Sequence, residues 1–206
     1  MDDDDLLDAL RAATHRLVRG VDRMPDDAWS GPSLLPGWSR AHVVAHLTLQ
    51  GEEMARDVEG ARTGDQVPVS STGQHDDLDH LAGAPTADLR ERLLGSTTRV
   101  AEALAGSGAL ADLPSDLADR RWREVEIHHA DLDAGYSSAD WSPAFVDRLL
   151  DAVTADPAPP TDAVLQDGSA RRWVLGAGGP VVRGPAHALA WWGAGRAPGA
   201  GGGGGG

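Results

Sequence analysis

An apolar stripe near the amino terminus is the feature that most constrains the fold of this 206-residue chain. Between residues 4 and 24, apolar side chains recur at steps of three and four, at Leu6, Leu10, Ala13, Leu17, Val21 and Met24. Side chains with this spacing lie on one face of an α-helix, because the helix turns once in about 3.6 residues. The pattern therefore predicts an amphipathic helix that buries a single face.

Three later segments show comparable helical patterns. After a turn signal at Pro36-Gly37, Ser39 is placed to cap a second helix that runs to about residue 62. A third helix is expected from Thr86, and Ser115 can cap a fourth that ends near Gly135. Residues 63–85 lack clear periodicity, and we expect a long loop there. Four such helices predict a bundle, whose core is a usual place for metal sites.

The character of the sequence changes after residue 140. "SPAFVDRLLDAVTAD" predicts a fifth helix, and the break "PAPPTD" is followed by the β-prone runs "AVLQDG", "RRWVLGAG" and "PVVRG". "PAHALAWWGAGR" predicts a last short helix, and the glycine-rich end predicts a flexible tail. We therefore expect a mainly α protein: a helical bundle over 1–140, a small α/β domain over 141–197 and a tail over 198–206.

Charge and composition exclude several classes of protein. A net charge of −14 argues against binding nucleic acid or an anionic membrane surface, because both require clustered cations. No apolar run approaches the roughly 20 residues that span a bilayer, and the first residues are acidic where a secretory signal would be basic. The absence of cysteine excludes disulfides, a zinc site built on cysteine and a cysteine nucleophile. We expect a cytoplasmic monomer or weak dimer without a nucleic-acid or membrane partner.

Two pairs of polar residues have the spacing of metal ligands. His42 and His46 lie four apart on the second helix, and Glu124 and His128 lie four apart on the fourth. His46, Glu124 and His128 together would offer two imidazoles and a carboxylate to zinc or another divalent ion, with a position left open. Such pairs also arise by chance on helices, and His42 fits either a ligand or a hydrogen-bonded supporting group.

The neighbouring polar residues of the fourth helix have a different expected role. Glu126 and His129 should point away from the proposed ligands, towards solvent or a neighbouring helix, and we interpret them as surface groups. The remaining histidines, His15, His75, His80 and His187, have no partner at metal-ligand spacing, and we interpret them as structural or solvated.

Three blocks of the sequence resemble those of a known family. "LLPGWSRAHVVAHL" and "REVEIHHADL" resemble the two signatures of the mycothiol-dependent maleylpyruvate isomerases, which belong to the DinB-like group of metal-dependent four-helix bundles. "GPAHALAWWGAGR" is similar to the family's C-terminal helix. The resemblance implies that His46, Glu124 and His128 are the metal ligands and that His42 is not one. It also suggests Arg196 as a catalytic group that holds a substrate carboxylate, and Trp38, which flanks the site, as a cofactor-binding residue.

The resemblance also implies a reaction. Zinc would coordinate and deprotonate the thiol of mycothiol, and the thiolate would add to the cis double bond of maleylpyruvate. Rotation about the resulting single bond and elimination of the thiol would yield fumarylpyruvate. The expected partners are therefore a small-molecule thiol and a small dicarboxylate or other electrophile.

Two alternatives remain open at the level of sequence. The segment between Leu104 and Arg123 and the C-terminal region are shorter than is usual in the family, which puts the maleylpyruvate pocket in question. One alternative is a mycothiol S-transferase acting in detoxification, and the other is a non-catalytic metal-binding bundle. A fourth protein ligand, from His42 or from the acidic stretch "HDDLDH", would close the site and favour the non-catalytic alternative.

Overall fold

The structure, a computed structural model, describes residues 1–63, 74–105 and 117–196. The chain divides into two compact units, Met1–Tyr136 and Ser137–Gly206. The first unit contains the helices α1 (Asp3–Arg23), α2 (Arg40–Thr63), α3 (Gln74–Ala82), α4 (Thr86–Ala105) and α5 (Leu117–Asp131). Its four long helices pack mainly as the pairs α2 with α4 and α1 with α5, which confirms the predicted mainly α bundle of the DinB type.

Helix α1 shows how closely the apolar spacing dictates the packing. All six residues of the predicted stripe are buried, none of them more than 6% exposed. The carboxylate of Asp2 caps the helix by accepting a hydrogen bond of 2.8 Å from the amide of Asp5. The three aspartates of the first turn suit the positive end of the helix dipole.

Gly20 permits a close approach between α1 and α5. A Cβ atom at this position would lie 2.8 Å from Nε2 of His129, closer than van der Waals contact allows. The glycine therefore leaves the space that the imidazole of His129 occupies in the interface between the two helices.

The second unit combines two helices with a small sheet. It contains α6 (Pro143–Ala155), β1 (Ala163–Gln166), β2 (Arg172–Leu175), β3 (Val181–Arg183) and α7 (Ala186–Gly193), so each predicted element is present. The strand order is β2-β1-β3, with β1 antiparallel to β2 and parallel to β3. Ser142 caps α6 through its hydroxyl, and Pro143 occupies the first turn, where its missing N–H costs nothing.

The expected loop over residues 63–85 is wrong in part. Residues Gln74–Ala82 form α3, and Leu78 and Leu81 of this helix are buried. The helix has only nine residues, so it offers too few turns for an apolar stripe to stand out in the sequence. Ser115, the expected cap of α5, lies outside the described residues. The expected domain boundary at residue 140 and the flexible tail over 198–206 stay predictions.

Within residues 1–63, 74–105 and 117–196, no helix combines the length and apolar character needed to cross a membrane.

Candidate metal centre

A turn before α2 ties the start of that helix to the end of α5. Gly37 adopts a left-handed φ of +80°, a conformation that glycine reaches without steric cost. Arg40, the first residue of α2, then donates hydrogen bonds of 2.7 Å to the carbonyl of Leu132 and 3.0 Å to that of Asp133. The amide of Leu34 also donates to the carbonyl of Asp131. These bonds set the register in which α2 faces α5.

This register brings together the three residues predicted to bind metal. His46 on α2 and Glu124 and His128 on α5 each offer a ligand atom, and these atoms lie within 4.8 Å of one another. Oε2 of Glu124 is 3.5 Å from Nε2 of His46 and 3.1 Å from Nε2 of His128. The side chain of His46 is 24% exposed, that of Glu124 36% and that of His128 9%. Solvent therefore reaches the cluster from the side of His46 and Glu124.

The donor set fits a tetrahedral zinc ion. Zinc bonds of about 2.0–2.1 Å to nitrogen and oxygen place neighbouring tetrahedral ligand atoms about 3.3 Å apart, close to the observed separations. Oε2 of Glu124 is buried and has no hydrogen-bond partner among the described residues. An oxygen that is buried, shared between two imidazoles and left without a hydrogen bond is suited to a cation.

The electrostatics of the cluster keep Glu124 ionised. Burial would raise the pKa of Glu124, but the facing imidazoles of His128 and His46 outweigh it and hold that pKa well below its usual range. Burial likewise opposes the charged form of His128, but Asp131 and Glu124 raise the pKa of His128 above that of an ordinary imidazole. A carboxylate that stays ionised is the form required of a ligand.

Asp131 supports His128 from behind. One of its carboxylate oxygens, Oδ2, lies 2.9 Å from Nδ1 of His128, and the side chain of Asp131 is fully buried. A carboxylate at Nδ1 holds a proton there and leaves the lone pair of Nε2 free for a metal. Asp131 was not assigned a role in the sequence, although its position three residues after His128 is a usable signal.

We expect Asp131→Asn to weaken zinc binding about 10- to 100-fold while leaving the fold intact, because the amide is nearly isosteric but removes the charge behind His128. Competition with a chromophoric chelator measures the affinity, and circular dichroism checks the helix content. Unchanged affinity in a folded variant would show that Asp131 does not support the ligand. Asp133, which is 62% exposed, provides the matched Asp→Asn control.

We expect zinc affinity to fall as the pH is lowered. A proton competes with the metal for His128, and the raised pKa of His128 means that this competition begins at a higher pH than for an ordinary histidine. The apparent affinity should decline as the pH falls and approach a tenfold loss per pH unit for each proton displaced. Chelator competition between pH 5.5 and 8 tests this, and an affinity independent of pH would contradict it.

Trp38 and His42 lie beside the triad. The partly exposed ring of Trp38 meets the ring of His46 edge to face, with centroids 5.3 Å apart. His42 lies outside the cluster: its Nδ1 is 2.6 Å from the hydroxyl of Ser39, and its Nε2 is 3.5 Å from the carboxylate of Asp79 on α3. Trp38 therefore lies against one of the three cluster residues, and its role towards a cofactor stays a prediction.

The sequence interpretation of Glu126 and His129 as surface groups is wrong. Their exposed fractions are 1% and 5%. Glu126 accepts hydrogen bonds of 2.6 Å from Arg16 on α1 and 2.5 Å from the hydroxyl of Tyr136, and His129 stacks on the ring of Tyr136. Helix α5 packs on α1 on one side and on α2 on another, so polar groups on both sides are enclosed.

Arg196, the predicted catalytic residue, is not part of the cluster. Arg196 belongs to the second unit, where its Nη1 donates to the carbonyl of Ala194. Its role towards a substrate carboxylate stays a prediction. Within the described part of the chain, the metal-capable cluster contains neither His42 nor an acid of α3.

Comparison with known proteins identifies the family. The family model for the mycothiol maleylpyruvate isomerase N-terminal domain matches residues 10–133, which is more than half of the chain and contains the whole triad. The chain belongs to this family. No curated protein matches the sequence closely enough to serve as a relative.

Two solved structures share the fold of nearly the whole chain. A crystal structure of the mycothiol-dependent maleylpyruvate isomerase is 23% identical, with a TM-score of 0.88 over 97% of this chain and 91% of that chain. A histidine-to-alanine mutant of that enzyme is also 23% identical, with a TM-score of 0.87 over 96% and 91%. At this identity the likeness establishes the fold, and it extends beyond the N-terminal domain to the C-terminal unit.

Proposed function

We propose that this chain is a metal-dependent, mycothiol-using isomerase that converts maleylpyruvate to fumarylpyruvate in the cytoplasm. The observation that carries the proposal is the triad of His46, Glu124 and His128, whose separations suit one zinc ion and which is open to solvent on one side. Among the described residues no fourth acid or histidine completes the cluster, and three protein ligands with an open position are typical of catalytic zinc sites.

The fit of the triad assigns a task to each residue. His46, Glu124 and His128 would hold the ion, which when bound would supply a Lewis acid that lowers the pKa of a coordinated thiol. Asp131 fixes the orientation of the His128 ring. Trp38 offers a flat apolar surface next to the open position, where it would orient the bound thiol and exclude water from one side.

Binding of maleylpyruvate requires a positively charged group near the site, because the protein as a whole is acidic. Maleylpyruvate carries two carboxylates, and the net charge of −14 would repel it unless cations lie near the reacting atoms. A metal ion held by the triad would supply one positive centre. We propose Arg196, by its resemblance to the family's C-terminal arginine, as the second, holding one substrate carboxylate as a bidentate partner.

The deciding experiment tests maleylpyruvate and a generic electrophile in parallel reactions. Purified chain is incubated with zinc and mycothiol, and either maleylpyruvate or a generic electrophile is added. The proposal predicts isomerisation that requires both zinc and thiol and consumes no mycothiol, because elimination returns the thiol. Conjugation of the electrophile with equimolar loss of mycothiol, without isomerisation, would instead establish the S-transferase. Neither reaction in a zinc-loaded protein would leave the non-catalytic bundle.

A further inference from the structure

The first unit also contains a cavity apart from the triad. It is a groove of about 700 Å³ between α1 and α4, with α5 contributing to its lining, and that volume is within the range of sites for small molecules. Its apolar lining includes Leu7, Val18, Leu94 and Ala101. Leu94 is 54% exposed and adds apolar surface to this lining. None of the three triad residues lines this groove.

A buried cation also lines the groove. Arg121 on α5 is only 4% exposed, and its Nη2 donates to the carbonyl of Leu47. Its Nη1 is buried and has no hydrogen-bond partner among the described residues. Burial lowers the pKa of Arg121 to about 10, so the guanidinium remains positively charged at neutral pH. A buried charge with an unused donor is costly unless an anion approaches it.

The carboxylate of Glu124 attracts the charge of Arg121 and raises its pKa, against the effect of burial. The Oε2 atom of Glu124, however, faces the imidazoles of His46 and His128 in the triad. The carboxylate is therefore shared with the triad, and Nη1 of Arg121, a residue of the groove lining, keeps a donor that no described residue accepts from. Arg11, Arg19 and Glu102 also line the groove, and Nη1 of Arg11 lies 2.8 Å from the carboxylate of Asp8. The two arginines add positive charge to the lining, which favours an anion.

We propose that this groove binds an aliphatic monocarboxylate, with the carboxylate accepting hydrogen bonds from Arg121 and the chain lying between α1 and α4. A single buried cation with apolar walls matches a ligand that has one charged end and a long apolar body. A small dicarboxylate, such as the substrate proposed for the triad, lacks the apolar body. The inference is independent of the proposed isomerase activity.

Calorimetric titration of the full chain with decanoate tests the proposal, with 1-decanol as an uncharged probe of the same length. We expect decanoate to bind at least about tenfold more tightly than decanol. Arg121→Met should weaken decanoate at least about tenfold and leave decanol unchanged. Arg120→Met is the matched control, because Arg120 is the exposed neighbour and does not line the groove.

A second variant covers the case in which Arg121→Met does not fold. Ala101 is exposed on the wall of the groove, and Ala101→Trp should fill the space and abolish binding of both probes. Three results would overturn the proposal: no binding of decanoate by the wild type, equal binding by a folded Arg121→Met, or undiminished binding by Ala101→Trp. A groove covered by a second copy or by another part of the chain would give the first of these results.

Discussion

His46→Ala and Glu124→Gln should each lose the bound metal and reduce isomerisation by at least about a thousandfold. A bound metal supplies several kcal/mol of transition-state stabilisation, and about 4 kcal/mol corresponds to roughly a thousandfold in rate. Each substitution leaves two of the three donors that converge within 4.8 Å. Elemental analysis of the purified variants and kcat measured at saturating mycothiol test the two effects separately.

His80→Ala is the matched control for the loss of a histidine, because His80 is exposed on α3 and lies outside the cluster. His42→Ala should also retain the metal, since the ring of His42 contacts Ser39 and Asp79 instead of the triad. Full zinc occupancy in His46→Ala or in Glu124→Gln would contradict the assigned ligands. Zinc loss in His42→Ala would make His42 a ligand and would close the site.

Glu126→Ala should lower the free energy of unfolding by about 3 kcal/mol without affecting zinc stoichiometry. Removal of one partner of a buried ion pair costs about 3–5 kcal/mol, and the lower end applies because the Arg16 side chain is 44% exposed. The substitution also leaves the hydroxyl of Tyr136 without its acceptor. For a chain of this size the expected decrease in Tm is about 6–12 °C.

Urea unfolding of the zinc-free protein measures the loss in stability, so that metal binding does not add to the result. Glu91→Ala is the matched control, since Glu91 is exposed on α4 and should change the unfolding free energy by less than about 0.5 kcal/mol. A Glu126→Ala variant as stable as that control would mean that the Arg16–Glu126–Tyr136 network contributes nothing.

The helices of the bundle were predictable because their stability depends on periodic burial. The stripe of α1 is buried as predicted, and α4 buries a similar stripe made of Leu89, Leu93, Val100 and Leu104. The three short strands were predictable from β-prone runs between turn residues. Helix α3 was not predicted, because nine residues are too few for a periodic signal.

The ligand spacing was visible in the sequence, but the supporting network was not. His46 and Glu124 are 78 positions apart, so helical spacing offered them only as one possible ligand set, and the resemblance to the family favoured that set before the fold was known. Glu126 forms its ion pair with Arg16 across 110 positions, so nothing near Glu126 in the sequence indicates that it is buried. The same holds for Arg121, which packs among core residues and whose bond to Leu47 spans 74 positions.

The central claim is that a metal held by His46, Glu124 and His128 binds the thiol of mycothiol. Replacement of zinc by cobalt(II) makes this visible, because cobalt accepts the same tetrahedral ligands and absorbs light when sulfur coordinates it. Titration of the cobalt-loaded wild type with mycothiol should develop a sulfur-to-cobalt charge-transfer band that saturates at one equivalent and is absent in Glu124→Gln. A chain that binds no cobalt, or a cobalt spectrum unchanged by mycothiol, would contradict the account.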